Sequence, residues 1–197
     1  MSYQFTQDWF TRSVDNFNLV KSRLTDRKKF LEIGCFEGRS TVWFVEHMLD
    51  DYGAITCIDT WGGSKEHGPM GVDMKVVEEN FDTNVNILAR LFTTKMVHKK
   101  KTSSVDGIVK ELSKDAFYDF IYIDGSHEAK DCLTDAVMSW NLLKPNGVMV
   151  FDDYAWDVVP GEIHRPRMAI DAFLAIFADA LDVLFINHQV GVQKNEL

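Results

Sequence analysis

Asp124-Gly125-Ser126-His127 and Asp152-Asp153-Tyr154 are the segments of this 197-residue chain with the clearest capacity for chemistry. Each directly follows a short apolar run, Phe120–Ile123 in one case and Val148–Phe151 in the other. Carboxylates brought to one place repel one another unless they are protonated or share a cation. Asp124, Asp152 and Asp153 offer hard oxygen donors, which suit Mg²⁺, Ca²⁺ or Mn²⁺ better than zinc. No Cys/His spacing for zinc occurs in the sequence. A cation held there would lower the pKa of a bound hydroxyl and orient its oxygen. His127 adds an imidazole, whose ordinary pKa of about 6.5 suits a general base at neutral pH. The plainer alternatives are that the aspartates cap loops and helices, and that His127 caps the next helix or binds a cofactor carboxylate. Consecutive strand residues face opposite ways, so Asp152 and Asp153 share a ligand only if the chain turns out of the pleat between them.

A second set of residues points to a cofactor. Lys29–Ile33 reads as a buried strand that breaks into Gly34-Cys35-Phe36-Glu37-Gly38 and then a helical pattern through Val42, Val45 and Leu49. Glycines at such a turn let the backbone approach a ligand, and the helix beyond offers unpaired N–H groups. Asp59, at the tip of the next strand, is placed to accept both hydroxyls of a ribose. NAD is the obvious competitor, but its G-x-G-x-x-G fingerprint is missing: Gly34 and Gly38 are too far apart, no third glycine follows, and Phe36 and Glu37 crowd the turn.

These residues need strands to carry them. The pattern predicts strands at Lys29–Ile33, Ala54–Ile58, Thr94–His98, Phe120–Ile123 and Val148–Phe151, separated by helices near 40–49, 73–91 and 104–112 and by one carrying Leu133, Val137 and Trp140 that stops before Lys144. An amphipathic helix is expected over Phe5–Leu24, and another around Ile170–Phe177. Val183–Ile186 and Val190–Gln193, joined by Asn187-His188-Gln189, predict a closing antiparallel hairpin. Such alternation implies an α/β sandwich with a mainly parallel sheet, as one domain over 1–197: a helical cover over 1–28 and a Rossmann-like core over 29–197. The polar run from Trp61 to Pro69 is a candidate lid.

Glu32-x-Gly34-x-x-x-Gly38, with Asp59 after it, resembles motif I and the ribose-binding acid of class I S-adenosylmethionine-dependent methyltransferases. The acids after the fourth and fifth strands resemble those of metal-dependent O-methyltransferases of the catechol and macrolide-sugar types. Ile-Asp-Gly-Ser-His together with Phe-Asp-Asp-Tyr is more similar still to a group of small bacterial methyltransferases. The resemblance implies a seven-stranded sheet with an antiparallel last strand. It also implies S-adenosylmethionine bound by Glu32, Gly34, Phe36, Gly38, Ser40, Asp59, Thr60, Trp61, Ser103 or Ser104, Asp124 and His127, with Ser104 favoured for the adenine edge. Asp124, Asp152 and Asp153 would bind Mg²⁺ or another divalent cation, and His127 stands where the catechol type carries a lysine base. The reaction implied is methylation of a small hydroxylated acceptor. Alternatives are a metal-independent methyltransferase using Asp124 and His127, a non-catalytic cofactor-binding protein of the same fold and, weakest, a dehydrogenase.

Composition narrows the partners. A net charge of -9 argues against binding nucleic-acid phosphates, and His98-Lys99-Lys100-Lys101 is the one basic cluster. The 3 cysteines are too few for a disulfide framework, and no apolar window approaches a membrane span. A reducing cytoplasm is the expected location. The aromatic-rich N-terminal helix is a candidate surface for a homo-oligomer. Arg165, Arg167, His67 and His164 lie in loops or near a helix start, where they could meet a substrate but are more simply read as solvated.

Overall fold

The computed structural model describes residues 2–64, 67–68, 70–114 and 116–196. Seven strands form one sheet in the order β3-β2-β1-β4-β5-β7-β6. They are β1 (Lys29–Ile33), β2 (Ala54–Asp59), β3 (Met96–Lys101), β4 (Tyr118–Ile123), β5 (Leu143–Phe151), β6 (Leu181–Ile186) and β7 (Val190–Lys194). The first five pair in parallel, and β7 runs antiparallel between β5 and β6. Among the described residues six α-helices cover the sheet: α1 (Val14–Arg23), α2 (Arg39–Trp43, continued by a π-turn over Phe44–Met48), α3 (Met74–Leu91), α4 (Ser104–Glu111), α5 (Ala129–Trp140) and α6 (Pro166–Ile176).

Side-chain alternation divides the interior into two layers. Phe30, Phe120, Tyr122, Val148 and Val150 pack with Phe17 of α1, Phe44 of the π-turn and Phe81 of α3. Leu31, Ile33, Ile121, Ile123, Met149 and Phe151 pack on the other face with Ile108, Trp140 and Phe173, from α4, α5 and α6. Strands buried on both faces read as continuous apolar runs, which is why β4, buried along its whole length, shows no polar alternation. The even parity that puts Tyr122 and Val150 on the α1–α3 side carries Asp124 and Asp152, the next even positions, toward the same side of the sheet edge.

Several expectations differ from the structure: β3 starts at Met96 rather than Thr94, β4 at Tyr118 rather than Phe120 and β6 at Leu181 rather than Val183. The N-terminal helix begins only at Thr11, as a 3-10 turn leading into α1. Residues 3–9 instead lie as a strap. The Gln4 amide donates to Asn84 and the Thr6 amide to Glu37, so side chains take the backbone groups that a helix would pair internally. β3 extends to Lys101, because Lys99 and Lys101 reach Glu78 and Lys100 reaches Glu111, so the basic run is neutralised in place. β5 starts at Leu143 rather than Val148, with an irregularity in its pairing to β4 where Asn146 takes φ 62°. Lys65, Glu66 and Pro69 of the candidate lid lie outside the described residues. Phe10 and Phe17, two aromatics of the N-terminal segment, are buried in the chain's own core. Among the described residues no helix is long and apolar enough to cross a membrane.

Candidate functional site

The glycine turn is built by backbone donors converging on Asp59. Its Oδ2 accepts the amides of Cys35 and Phe36 at 2.8 and 3.0 Å, and its Oδ1 accepts that of Trp61 at 2.7 Å. Gly34 takes φ +81°, and a Cβ there would lie 1.9 Å from the carbonyl oxygen of Asp124. Its glycine is therefore required by the contact between the β1 and β4 ends, a tighter constraint than approach of a ligand. Gly38, at φ +76°, starts α2, and a Cβ there would press on Phe81 at 2.9 Å.

Glu32 sits under this turn with no exposed surface. It accepts the hydroxyls of Ser40 and Thr41, and burial outweighs those bonds to push its carboxyl up to about 7. Glu32 and Ser40 thus brace the turn from below, and their polar atoms serve each other. Phe36, at φ 48°, is half-buried against the core, with its ring 5.1 Å from that of Trp9 and 5.4 Å from that of His67. Trp61 is 4% exposed. Its indole donates to the Phe36 carbonyl at 2.9 Å and its ring packs on Phe81, so its side chain belongs to the core. Thr60 accepts the Gly62 amide. Ser103 caps α4, bonding both the amide and the carboxylate of Asp106. Ser104 lies near the buried Asp135, whose carboxyl is raised to about 6, chiefly by burial.

The acids meet across the adjacent ends of β4 and β5. The Asp124 amide donates to Ile33 at 2.8 Å and the Asp152 amide to Ile123 at 2.9 Å, which seats both residues as continuations of the ladder. Asp153 takes φ 59°, so the chain does leave the pleat between the paired aspartates. Burial, then Asp152 and Asp153, then Glu32, push the Asp124 carboxyl well above the usual range. Burial and Asp153 raise that of Asp152, while its hydrogen bonds oppose them. Asp153 also reaches His127, 2.8 Å from Nε2, and the His127 ring packs 4.4 Å from Trp156. Asp124, His127, Asp152 and Asp153 line one small cleft with Gly125 and Pro166.

Among the described residues, one group of three places a ligand atom from each side chain within 4.8 Å of the others: Glu32, Cys35 and Cys57. The three aspartates form a more open set than this. Both thiols are free and pushed up by burial, and the Glu32 carboxylate already holds two hydroxyls, so this group reads as sealed packing.

Sequence reading missed the supports of this cleft. Tyr122, Gln189 and the His188 carbonyl, which accepts the Tyr154 amide at 3.0 Å, all hold the β5 end. His164 bonds Glu128 at 2.7 Å, Arg165 bonds Glu162, and Arg167 lies over Tyr154 and beside Asp171. These loop groups are held within the chain. Only the parity of Tyr122 ahead of Asp124 was readable in advance.

A family model described as a methyltransferase domain matches residues 31–154. Comparison with curated proteins found no match. The fold is similar to that of the O-methyltransferase from Bacillus cereus in complex with S-adenosylhomocysteine, at 17% identity and TM-score 0.64, covering 98% of this chain and 84% of that one. It is also similar to the S-adenosylhomocysteine-bound methyltransferase PaMTH1 of Podospora anserina, at 16% identity and TM-score 0.59, covering 98% and 80%. A third similar structure is MycE, from the mycinamycin biosynthetic pathway, in complex with Mg and S-adenosylhomocysteine. It shares 17% identity at TM-score 0.59, covering 98% of this chain and 51% of that one.

Proposed function

The chain belongs to the methyltransferase-domain family, whose match spans the glycine turn and all three aspartates, and on that premise we propose S-adenosylmethionine-dependent O-methylation of a small hydroxylated acceptor, assisted by a divalent cation. The observation that carries the cation is the convergence of Asp124, Asp152 and Asp153 in one cleft, where each carboxylate raises the cost of charging its neighbour. Oxygen donors so arranged suit Mg²⁺. S-adenosylhomocysteine in two of the similar structures, and Mg with it in the third, support the same reading.

In this reading the turn from Gly34 to Gly38 and Asp59 hold the donor. Asp59 keeps part of its Oδ1 free of backbone donors, which leaves it able to accept a ribose hydroxyl. Phe36, half-buried beside Trp9 and His67, is the turn's apolar contact for the donor, and Ser104 at the start of α4 is the candidate for the adenine edge. Bound S-adenosylmethionine supplies a sulfonium methyl for in-line displacement, and a bound divalent cation supplies the polarisation that makes an acceptor hydroxyl acidic. His127 would take the hydroxyl proton at Nε2, the ring atom that Asp153 faces at 2.8 Å, with Trp156 packing the ring.

The test is methyl transfer from labelled S-adenosylmethionine to a panel of phenols, catechols and sugar hydroxyls, before and after EDTA. Activity lost to EDTA and restored by Mg²⁺ is the expected result. A second reading rests on the pairing of His127 with Asp153. In that reading the imidazole and carboxylate act as a dyad without a cation, and activity would survive EDTA but fall in Asp153→Asn. A chain that binds labelled cofactor yet methylates nothing on the panel would favour a non-catalytic protein.

A further inference from the structure

Both oxygens of Asp152 are held by protein donors. Tyr122 donates its hydroxyl and Gln189 its amide to Oδ2, the latter at 3.0 Å, while the Asp153 amide donates to Oδ1 at 2.7 Å. Gln189 lies in the turn between β6 and β7 with no exposed surface. Its Oε1 accepts Nδ2 of Asn16, on α1, at 2.9 Å. Asn16 and Asn187 exchange two further bonds of 3.1 and 3.0 Å, and Asn187 Oδ1 accepts the Gln189 backbone amide at 2.9 Å. The direction of the Gln189 amide follows from its neighbours. Turned over, it would set oxygen against the Asp152 carboxylate and NH₂ against the NH₂ of Asn16.

A carboxylate buried beside two others needs donors on its charged form, and here they come from neutral groups that bring no competing charge. We infer that Gln189, backed by Asn16 and joined by Tyr122, is a positioning residue that fixes the Asp152 carboxylate for cation binding, an inference that rests on the cation-assisted reading above. Gln189 and Asn16 lie outside residues 31–154, so the N-terminal helix and the C-terminal hairpin complete a site that the family match only partly contains. The α1 cover is thereby joined to the chemistry through two amides.

The experiment is calorimetric titration of the full chain with Mg²⁺ and with Mn²⁺, comparing wild type with Gln189→Leu, Asn16→Ala and Asn16→Asp. Affinity for S-adenosylhomocysteine and the melting temperature are measured beside it. Gln189→Leu should weaken cation binding by roughly 10–100-fold, the range for removing a group that orients a ligand, with cofactor affinity unchanged. Asn16→Ala, on a half-buried position that leaves the core intact, should weaken it in the same direction by less. Asn16→Asp should do more than Asn16→Ala, because its carboxylate repels Oε1 and turns the amide over. If Gln189→Leu does not fold, the two Asn16 variants decide. Cation affinities equal to wild type in the folded variants overturn the positioning role alone, as does an equal loss of cation and cofactor binding. A wild type that takes up neither ion overturns the cation-assisted reading and this inference with it.

Discussion

Glu32→Gln should change how the stability of this protein depends on pH, and in a direction fixed by the structure. Glu32 has no exposed surface, and its folded carboxyl is raised to about 7 from an ordinary 4.5, first by burial and with a contribution from Asp59. A raised folded pKa means that the native state holds the proton more tightly than the unfolded chain. The resulting stability is fully present below about pH 4.5 and is lost as pH rises through about 7. A shift of about 2.5 units corresponds to about 3 kcal/mol at roughly 1.4 kcal/mol per unit. Glutamine keeps the shape and one acceptor for Ser40 and Thr41, one of whose hydroxyls must turn to accept the new NH₂. That costs some stability at low pH, where the wild-type carboxyl is neutral. The assay is urea denaturation of both proteins at intervals from pH 4.5 to 8. Asp124, Asp135 and Asp152 are raised in the same sense, so the wild-type curve alone cannot isolate Glu32. The difference between the two proteins does. It should move by about 3 kcal/mol in favour of the variant as pH rises across the window. A difference flat with pH would refute the reasoning, because it would mean that the two hydroxyls fully offset burial and leave Glu32 ionised over the whole range.

Two other perturbations have equally definite outcomes. Glu111 lies buried between Lys100, Lys114 and Tyr118, and its lysine and tyrosine hydrogen bonds outweigh burial to bring its carboxyl down to about 2. Its contribution has the opposite sign. It is present above pH 4.5 and lost as pH falls toward 2, so Glu111→Gln should lose about 2 kcal/mol at pH 7 and show a shallower acid transition by circular dichroism. Gly34→Ala combines a left-handed φ with a Cβ that would lie 1.9 Å from the Asp124 carbonyl. It should cost about 3 kcal/mol in thermal or urea melts and, on the cation-assisted reading, weaken cation uptake as well as cofactor binding, whereas a loss confined to cofactor binding would contradict the contact.

What could be read in advance was whatever local patterning controls. Lys29–Ile33 is a strand with the bounds its apolar run gives, and Asp59 and Asp124 stand at or just past strand ends, as the change from apolar to acidic residues indicates. Phe5 and Trp9 misled because their spacing fits a helix, while the backbone beside them bonds to Asn84 and Glu37, far along the chain. The lysine run stood out in the sequence as the one basic cluster, but its partners, Glu78 and Glu111, lie on helices whose approach local patterning does not announce. Asp153 could not have been placed, since nothing about an aspartate announces φ 59°. Gln189 was invisible for a related reason. Its importance lies in an acid 37 positions away and in a helix at the opposite end of the chain.

The contact between Gly34 and the Asp124 carbonyl has a consequence for how this molecule can diverge. It leaves no slack between the glycine turn and the strand end, to which the proposed function assigns the donor and the acceptor. A small shift on one side is imposed on the other, so on the proposed function the donor-to-acceptor distance would be set by the backbone rather than by single side chains nearby. Relatives that act on different acceptors are then expected to differ in the loops over 61–73 and 154–166, while the spacing of the two strand ends stays constant.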